Sequence, residues 1–367
     1  MVPPAGIVGE ADLPLHEGKA PGWLYSRMKA LGREIIRTII NEFGRREFLL
    51  RISDPFWFQS LGCVLGYDWH SSGVTTVLTA VIREVLEEEN FGLALCGGKG
   101  RRSLSTPDEI SRKAEILSLN DEKITELIRA SRLTAKVDNA AVQDGHSIYH
   151  HAIIFTEDGE WAVVQQGMNA EKGTARRYHW LSLELKGFLM DPHSGVIAVK
   201  EEEVLNLAAS ESEENRRASL DLIAEGSVRL RTLIRELSQG PLTPYLTEGV
   251  RYLKMPNRID WKAVEEANQL NLSNYEDLLL VRGIGPSLLR ALSLIAEVVY
   301  GTPASRKDPA RYSFAFGGKD GVPFPVRTRL MDRAIEVLRS GIIQSNLTDY
   351  ERKSALRRLQ FVTGQVQ

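Results

Sequence analysis

Six of the seven histidines fall between positions 70 and 193: His70, His146, His150, His151, His179 and His193. Near neutral pH an imidazole serves as a general base, a metal ligand or a stacking group. Asp68, Asp138, Asp144, Gln165 and Gln166 accompany them in otherwise apolar surroundings. His146 and His150 are four residues apart, so on a helix they share one face and suit two ligands of one ion, with Asp144 as a third. A metalloprotease would place Glu after the first His; Ser147 stands there and disfavours that class. A divalent ion, Mg²⁺ or Mn²⁺, held by these residues would activate water against a phosphodiester. Asp68, His70, Asp138, Asp144, His150 and His179 are therefore the candidate catalytic residues. The competing reading is that the histidines hydrogen-bond the backbone or stack on nucleotides.

Arg176-Arg177-Tyr178-His179-Trp180 mixes cations with aromatic faces. Single strands and flipped bases are held that way, by charge on the backbone and rings on the bases. A half-buried strand with a charged start is the alternative. Gly97-Gly98-Lys99-Gly100 reads as a flexible basic loop that can cradle phosphate through backbone N–H groups and Lys99, or as a plain surface turn. Gly317-Gly318-Lys319-Asp320-Gly321 looks like it, and Lys319 joins the nucleic-acid contacts. Asp54-Pro55-Phe56-Trp57-Phe58 is read as core packing.

The stretch from Leu278 to Tyr300 reads as a short helix, a tight Gly283-Ile284-Gly285 turn and a second helix opened by Pro286. Gly283 and Gly285 lack side chains, so the backbone can turn sharply and approach a ligand. The second helix start offers free N–H groups and a positive dipole end to an anion. This resembles the helix-hairpin-helix motif of DNA repair and processing proteins, which implies a sequence-independent grip on a nucleic-acid backbone. Arg282, Ser287 and Arg290 belong to that grip; an ordinary helical corner is the bland alternative. DNA glycosylases with this motif place a catalytic aspartate in the segment after the hairpin. Asp308 and Asp320 are the candidates here, or else turn residues. Bifunctional members carry a lysine where this chain has Ser287, which argues against lyase chemistry.

Several elements must position these groups. Apolar spacing predicts a helix from Trp23 to about Leu50, a second from Thr75 to Glu89, one opened by Ser105-Thr106-Pro107, and one over 219–240. Phe91–Cys96 reads as a buried strand ended by the glycine loop, and Ile153–Phe155 with Trp161–Val164 as a hairpin. Residues 1–20 read as an extended arm. The fold class expected is mainly α with a small β-hairpin or sheet in the N-terminal half, an α+β fold, plus an α-helical C-terminal part. Domains are expected at 1–200 (histidine-rich, catalytic), 201–250 (charged helical connector) and 251–367 (nucleic-acid-binding).

The net charge of −2 excludes a global basic field, so nucleic acid must be met by local patches. Two cysteines, Cys63 and Cys96, fit a reducing cytoplasm and exclude a Cys-based zinc site. No run approaches the ~18 apolar residues of a membrane span. No basic segment followed by an apolar core opens the chain, so no secretory signal is expected.

Leu13-Pro-Leu-His16, Asp54-Pro-Phe-Trp-Phe-Gln59, Asp68-Trp-His-Ser-Ser-Gly73, Gly97-Gly-Lys-Gly100, Gln165-Gln-Gly-Met168 and Arg176-Arg-Tyr-His-Trp180 together resemble one prokaryotic, largely archaeal, family catalogued as a domain of unknown function. That resemblance implies no activity. The leading expectation is a cytoplasmic nucleic-acid hydrolase acting on DNA in repair, leaning to a metal-assisted nuclease. A DNA N-glycosylase, a non-catalytic DNA-binding adaptor and a small-molecule enzyme with a structural corner are the alternatives.

Overall fold

The computed structural model describes residues 20–67, 72–198, 204–239, 254–310, 336, 338–344 and 347–363. Helix α1 runs Gly22–Ser53 and kinks at Gly44, whose φ of 85° is left-handed. Asp54 then caps α2 (Pro55–Val64), accepting from the Phe56 and Trp57 N–H groups at 2.7 and 3.0 Å, with Pro55 in the first turn. α3 is Gly73–Glu88. Strand β1 (Leu93–Lys99), helices α4 (Arg101–Leu104), α5 (Thr106–Ile116) and α6 (Asp121–Lys136), and a π-helical turn (Val137–Ala141) follow. Next come β2 (Val142–Gln143), β3 (Ser147–Thr156), β4 (Trp161–Asn169), β5 (Thr174–Leu181), β6 (Gly195–Ile197) and β7 (Leu205–Asn206). Helices α7 (Glu213–Ala224) and α8 (Ser227–Gln239) precede three further helices, Trp261–Gln269, Tyr275–Leu280 and Pro286–Tyr300, and a last one, Asp349–Thr363, returns to the N-terminal helices.

The central sheet is antiparallel with strand order β1-β3-β4-β5-β6; β2 and β7 form a separate ladder. Alternation along each strand sends side chains to opposite faces. Cys96, Ile153, Phe155, Val163, Tyr178 and Trp180 face one core, shared with α5, α6, α7 and the C-terminal hairpin helices. Leu95, Ala152, Ile154, Ala162 and Val164 face the other, built by α1–α3 and by Ala355 and Leu359 of the last helix. Helices thus cover both faces of the sheet, and the α+β class stands.

Two expectations change. The β1 strand does not stop at Cys96: Gly97, Gly98 and Lys99 stay in register with Ala152, His151 and His150, so this is ladder and not a phosphate-cradling loop. The helix expected over 219–240 is two helices, broken at Gly226 (φ 87°). The apolar core does not part at the charged stretch: Val204, Leu205 and Leu222 join the sheet to Leu279, Ile284 and Leu292 in one cluster. The expected arm of residues 1–20 lies, but for Ala20, outside the described residues.

Candidate functional site

The polar residues form two layers, one on each face of the sheet. On the hairpin side, the π-helical turn after α6 carries Asp138, which is fully buried. His193 approaches it at 2.6 Å from Nε2 to Oδ1, and Trp180 Nε1 and Gln165 Nε2 donate to Oδ2 at 2.8 and 2.5 Å. Three donors on two oxygens suit an ionised carboxylate. Burial pushes the Asp138 carboxyl up, and His193 and Trp180 pull against that. With Nε2–H given to Asp138, His193 keeps its lone pair on Nδ1, the tautomer of an oriented general base.

Arg176 organises the second half of this layer. Its guanidinium meets Asp144 at 2.7 Å and grips Asp308 through two nitrogens at 2.8 and 2.9 Å, all three side chains fully buried. Tyr178 adds its hydroxyl to Asp144 at 2.6 Å. Burial opposes ionisation of Asp144, but Arg176, His146 and Tyr178 outweigh it and hold the carboxyl well below the usual range.

His193 and Asp308 both line a cavity of about 220 Å³, walled also by Asp191, Asn206, Glu211 and Lys307. Asp191 accepts from Ser210 Oγ at 2.6 Å, and Glu211 pairs with Lys307 at 2.5 Å. Among the described residues, no group of three His, Cys, Asp or Glu is placed to hold an ion.

The cavity and the hairpin share a support. Asn206, in the cavity wall, pairs with Val142 on the β2–β7 ladder; the next rung, Gln143–Leu205, supports the hairpin. Gln143 Nε2 donates to the Pro286 carbonyl at 2.8 Å, and Arg290 donates to Gln143 Oε1 at 2.9 Å. Lys136, at the end of α6, donates to the Ile284 carbonyl at 2.6 Å.

The opposite layer, toward α2 and α3, holds Arg177, Gln166, His150 and His179. Arg177 Nη2 donates to Gln59 Oε1 at 2.7 Å, and its guanidinium lies 4.9 Å from the Phe58 ring centroid. Burial pushes Arg177 down, to about 9. Burial also pushes His150 down to about 3, aided by His151, Lys99 and Arg177, and pushes His179 well below the ordinary histidine value. His151, back on the hairpin side between Ser131 (2.8 Å) and Gln165 (2.7 Å), is pushed down to about 4.

Several expected roles are corrected by this placement. His146 and His150 do not share a helix face: His150 lies on β3 and meets Thr79 of α3 at 3.1 Å, while His146 precedes the strand and meets Asp144 and Thr174. The expected Asp144–His146–His150 metal triad is therefore not assembled. Arg176, Arg177, Tyr178 and Trp180 are buried, because a strand covered on both faces puts every side chain inside; none presents a surface to a base or a strand. His179 bonds the Ile52 carbonyl at 3.1 Å, away from the cavity. Lys99 is exposed, with Nζ 5.8 Å from the Tyr149 ring centroid. Arg282 is exposed and Ser287 half-buried at the hairpin, and Arg290 also holds the Lys254 carbonyl at 2.6 Å. Asp68, His70, Lys319 and Asp320 lie outside the described residues. His193 was missing from the expected catalytic set: no spacing links it to Asp138, and only β6 folding beside β5 brings them together.

A family model described as "Protein of unknown function (DUF763)" matches residues 9–326, which takes in the sheet, both polar layers and the hairpin. The chain belongs to the DUF763 family. The matched residues include all those that line the His193–Asp308 cavity. No curated protein and no solved structure matches the chain.

Proposed function

We propose that the protein is a nucleic-acid hydrolase, with DNA as its substrate, that cuts a bond presented to the His193 cavity. One observation carries the reading: His193, bonded to the buried Asp138 behind it, lines a cavity whose wall is one ladder rung from the anchor of a helix-turn-helix resembling a DNA-backbone grip. His193 takes a proton from water through Nδ1, and Asp138 steadies the resulting imidazolium without itself leaving its donors. Arg176 keeps Asp308 fixed in the wall, and Lys307 there is paired with Glu211. The exposed Arg282 and the helix start at Pro286 hold the backbone.

The test is cleavage of labelled single-stranded, duplex and branched DNA, and of RNA, each with Mg²⁺, with Mn²⁺ and with EDTA. Strand scission is expected, and His193→Ala is expected to lower it by about 10²–10⁴-fold. No product on any substrate overturns the reading; salt-dependent binding without turnover would assign a DNA-binding adaptor instead. A second reading, DNA N-glycosylase, is favoured by one observation: Asp308, in the segment after the hairpin, is among the residues lining the cavity. It predicts an EDTA-resistant abasic product on an uncut strand.

A further inference from the structure

Lys99, His150, Gln166 and Arg177 are cross-strand partners on four consecutive strands, on the sheet face turned toward α2 and α3. Arg177 is fully buried and keeps its proton, as arginine does in proteins. Only its Nη2 is bonded, to the neutral Gln59; Nε and Nη1 have no partner, and among the described residues no carboxylate reaches it. A buried cation with two unused donors calls for an anion. Beside it α3 begins without a side-chain cap at Ser72. Gln166 is pinned to that helix start, donating to the Ser72 carbonyl at 2.9 Å and accepting from the Thr75 hydroxyl. The positive end of a 16-residue helix therefore abuts the same row.

The two imidazoles supply the opposite kind of group. Thr79 donates its own hydroxyl to the Thr75 carbonyl at 2.7 Å, so His150 Nε2 must be the donor to Thr79, and the buried Nδ1 of His150 is a lone pair without a partner. His179 Nδ1 donates to the Ile52 carbonyl, which only accepts, so its buried Nε2 is a second unpartnered lone pair. The displaced titrations of both histidines keep them neutral at physiological pH. The outer end of the row reaches solvent at Lys99, beside the half-buried Tyr149 whose hydroxyl accepts from Gln166.

We propose that this layer is a phosphate-binding site, with Arg177 and the α3 start receiving the anionic oxygens and an imidazole lone pair, His150 Nδ1 or His179 Nε2, accepting one hydrogen bond from each P–OH the ligand carries. The ligand class is a small phosphate species that retains an O–H, either inorganic phosphate or a terminal phosphate monoester. Sulfate at neutral pH has no O–H, so its oxygens would face two lone pairs; the site must therefore prefer phosphate. The site stands apart from the His193 cavity, and binding is read without turnover, so failure of either reading leaves the other intact.

The test is equilibrium dialysis of the full chain against radiolabelled inorganic phosphate at pH 7, with sulfate, a 5′-phosphorylated dinucleotide and its unphosphorylated counterpart as competitors. One phosphate per chain is expected, with sulfate at least about tenfold weaker. Competition by the 5′-phosphorylated dinucleotide alone would identify the terminal monoester as the source; no competition by either would identify the free ion. Arg177→Gln is expected to lose at least about tenfold in affinity. Absence of binding to the wild type, equal binding of sulfate and phosphate, or wild-type affinity in folded R177Q overturns the proposal. Should R177Q fail to fold, the wild type's phosphate-over-sulfate ratio decides.

Discussion

Three histidines, His150, His151 and His179, are buried with imidazoles whose titration lies below the ordinary value, burial being the first cause in each. In the unfolded chain they take up a proton near pH ~6.5, while in the folded chain they do not until far lower. Between those points the unfolded state binds more protons, so stability is complete above about pH 6.5 and falls as pH drops toward 4. Each such group contributes about 1.4 kcal/mol per pH unit inside its window. Asp144 behaves as a depressed carboxyl: its contribution is present above the unfolded value of ~3.9 and fades below it. Urea titrations from pH 7 to 4.5 should therefore show a falling midpoint, and His151→Gln should flatten the slope by about one proton. A midpoint independent of pH over that range would contradict the buried neutral assignment. At this scale the sequence was half legible. Residue types marked Asp138, Asp144 and Asp308 as unusual, but Arg176 and Arg177 read as nucleic-acid contacts, with a half-buried strand as the alternative. Their period-2 alternation sends one guanidinium to Asp144 and Asp308 and the other to Gln59, and neither destination is written in the strand itself.

The two hairpin glycines look equivalent as letters and differ as elements. Gly283 has φ 85°, and a Cβ there would meet Ala263 Cβ at 2.8 Å and Asp260 Oδ2 at 2.9 Å. Gly285 is extended at φ −142° and is the N-cap of the helix Pro286–Tyr300, with nothing nearer than 4.0 Å to a Cβ. Gly283→Ser should therefore cost about 1–3 kcal/mol of stability. Gly285→Ser should be neutral or slightly stabilising, since Ser is a good N-cap. If the hairpin grips a nucleic-acid backbone, G285S should nevertheless weaken DNA binding, because the side chain occupies the line of approach. Thermal melts and fluorescence anisotropy separate the two effects; equal destabilisation by both variants would refute the distinction. Long periodic helices such as α1 and α3 were legible to within a few residues, because an apolar stripe at helical spacing has one reading. The β1 extension through Gly97-Gly98-Lys99 was not, because its partner, β3, lies more than fifty residues away and decides the pairing.

Two cores flank one sheet, and both are closed by distant parts of the chain. The last helix returns to α2, where Arg358 donates to the Val64 carbonyl at 3.0 Å. The hairpin helices complete the other core against the sheet and α6. A fragment of residues 251–367 should consequently lack a core of its own and show poorly dispersed amide resonances without a cooperative melt. A fragment that melts cooperatively would show that the hairpin part folds alone. In the charged stretch 200–217, charge density reports one face of a helix only. Arg217, Glu213 and Glu214 make exposed pairs on α7, while Asn215, Ala218 and Leu222 are buried beneath them. The wide turn that ends α6 joins the two halves in another sense. Lys136 holds the hairpin carbonyl of Ile284, and Asp138, two residues on, orients His193. A single run of backbone thus carries the contact to the hairpin and the carboxylate that holds His193. If a ligand at the hairpin drew Ile284 off Lys136, the displacement would reach the turn that carries Asp138. If both places bind ligands through that turn, reciprocity requires that occupancy of the cavity change affinity at the hairpin by the same coupling free energy.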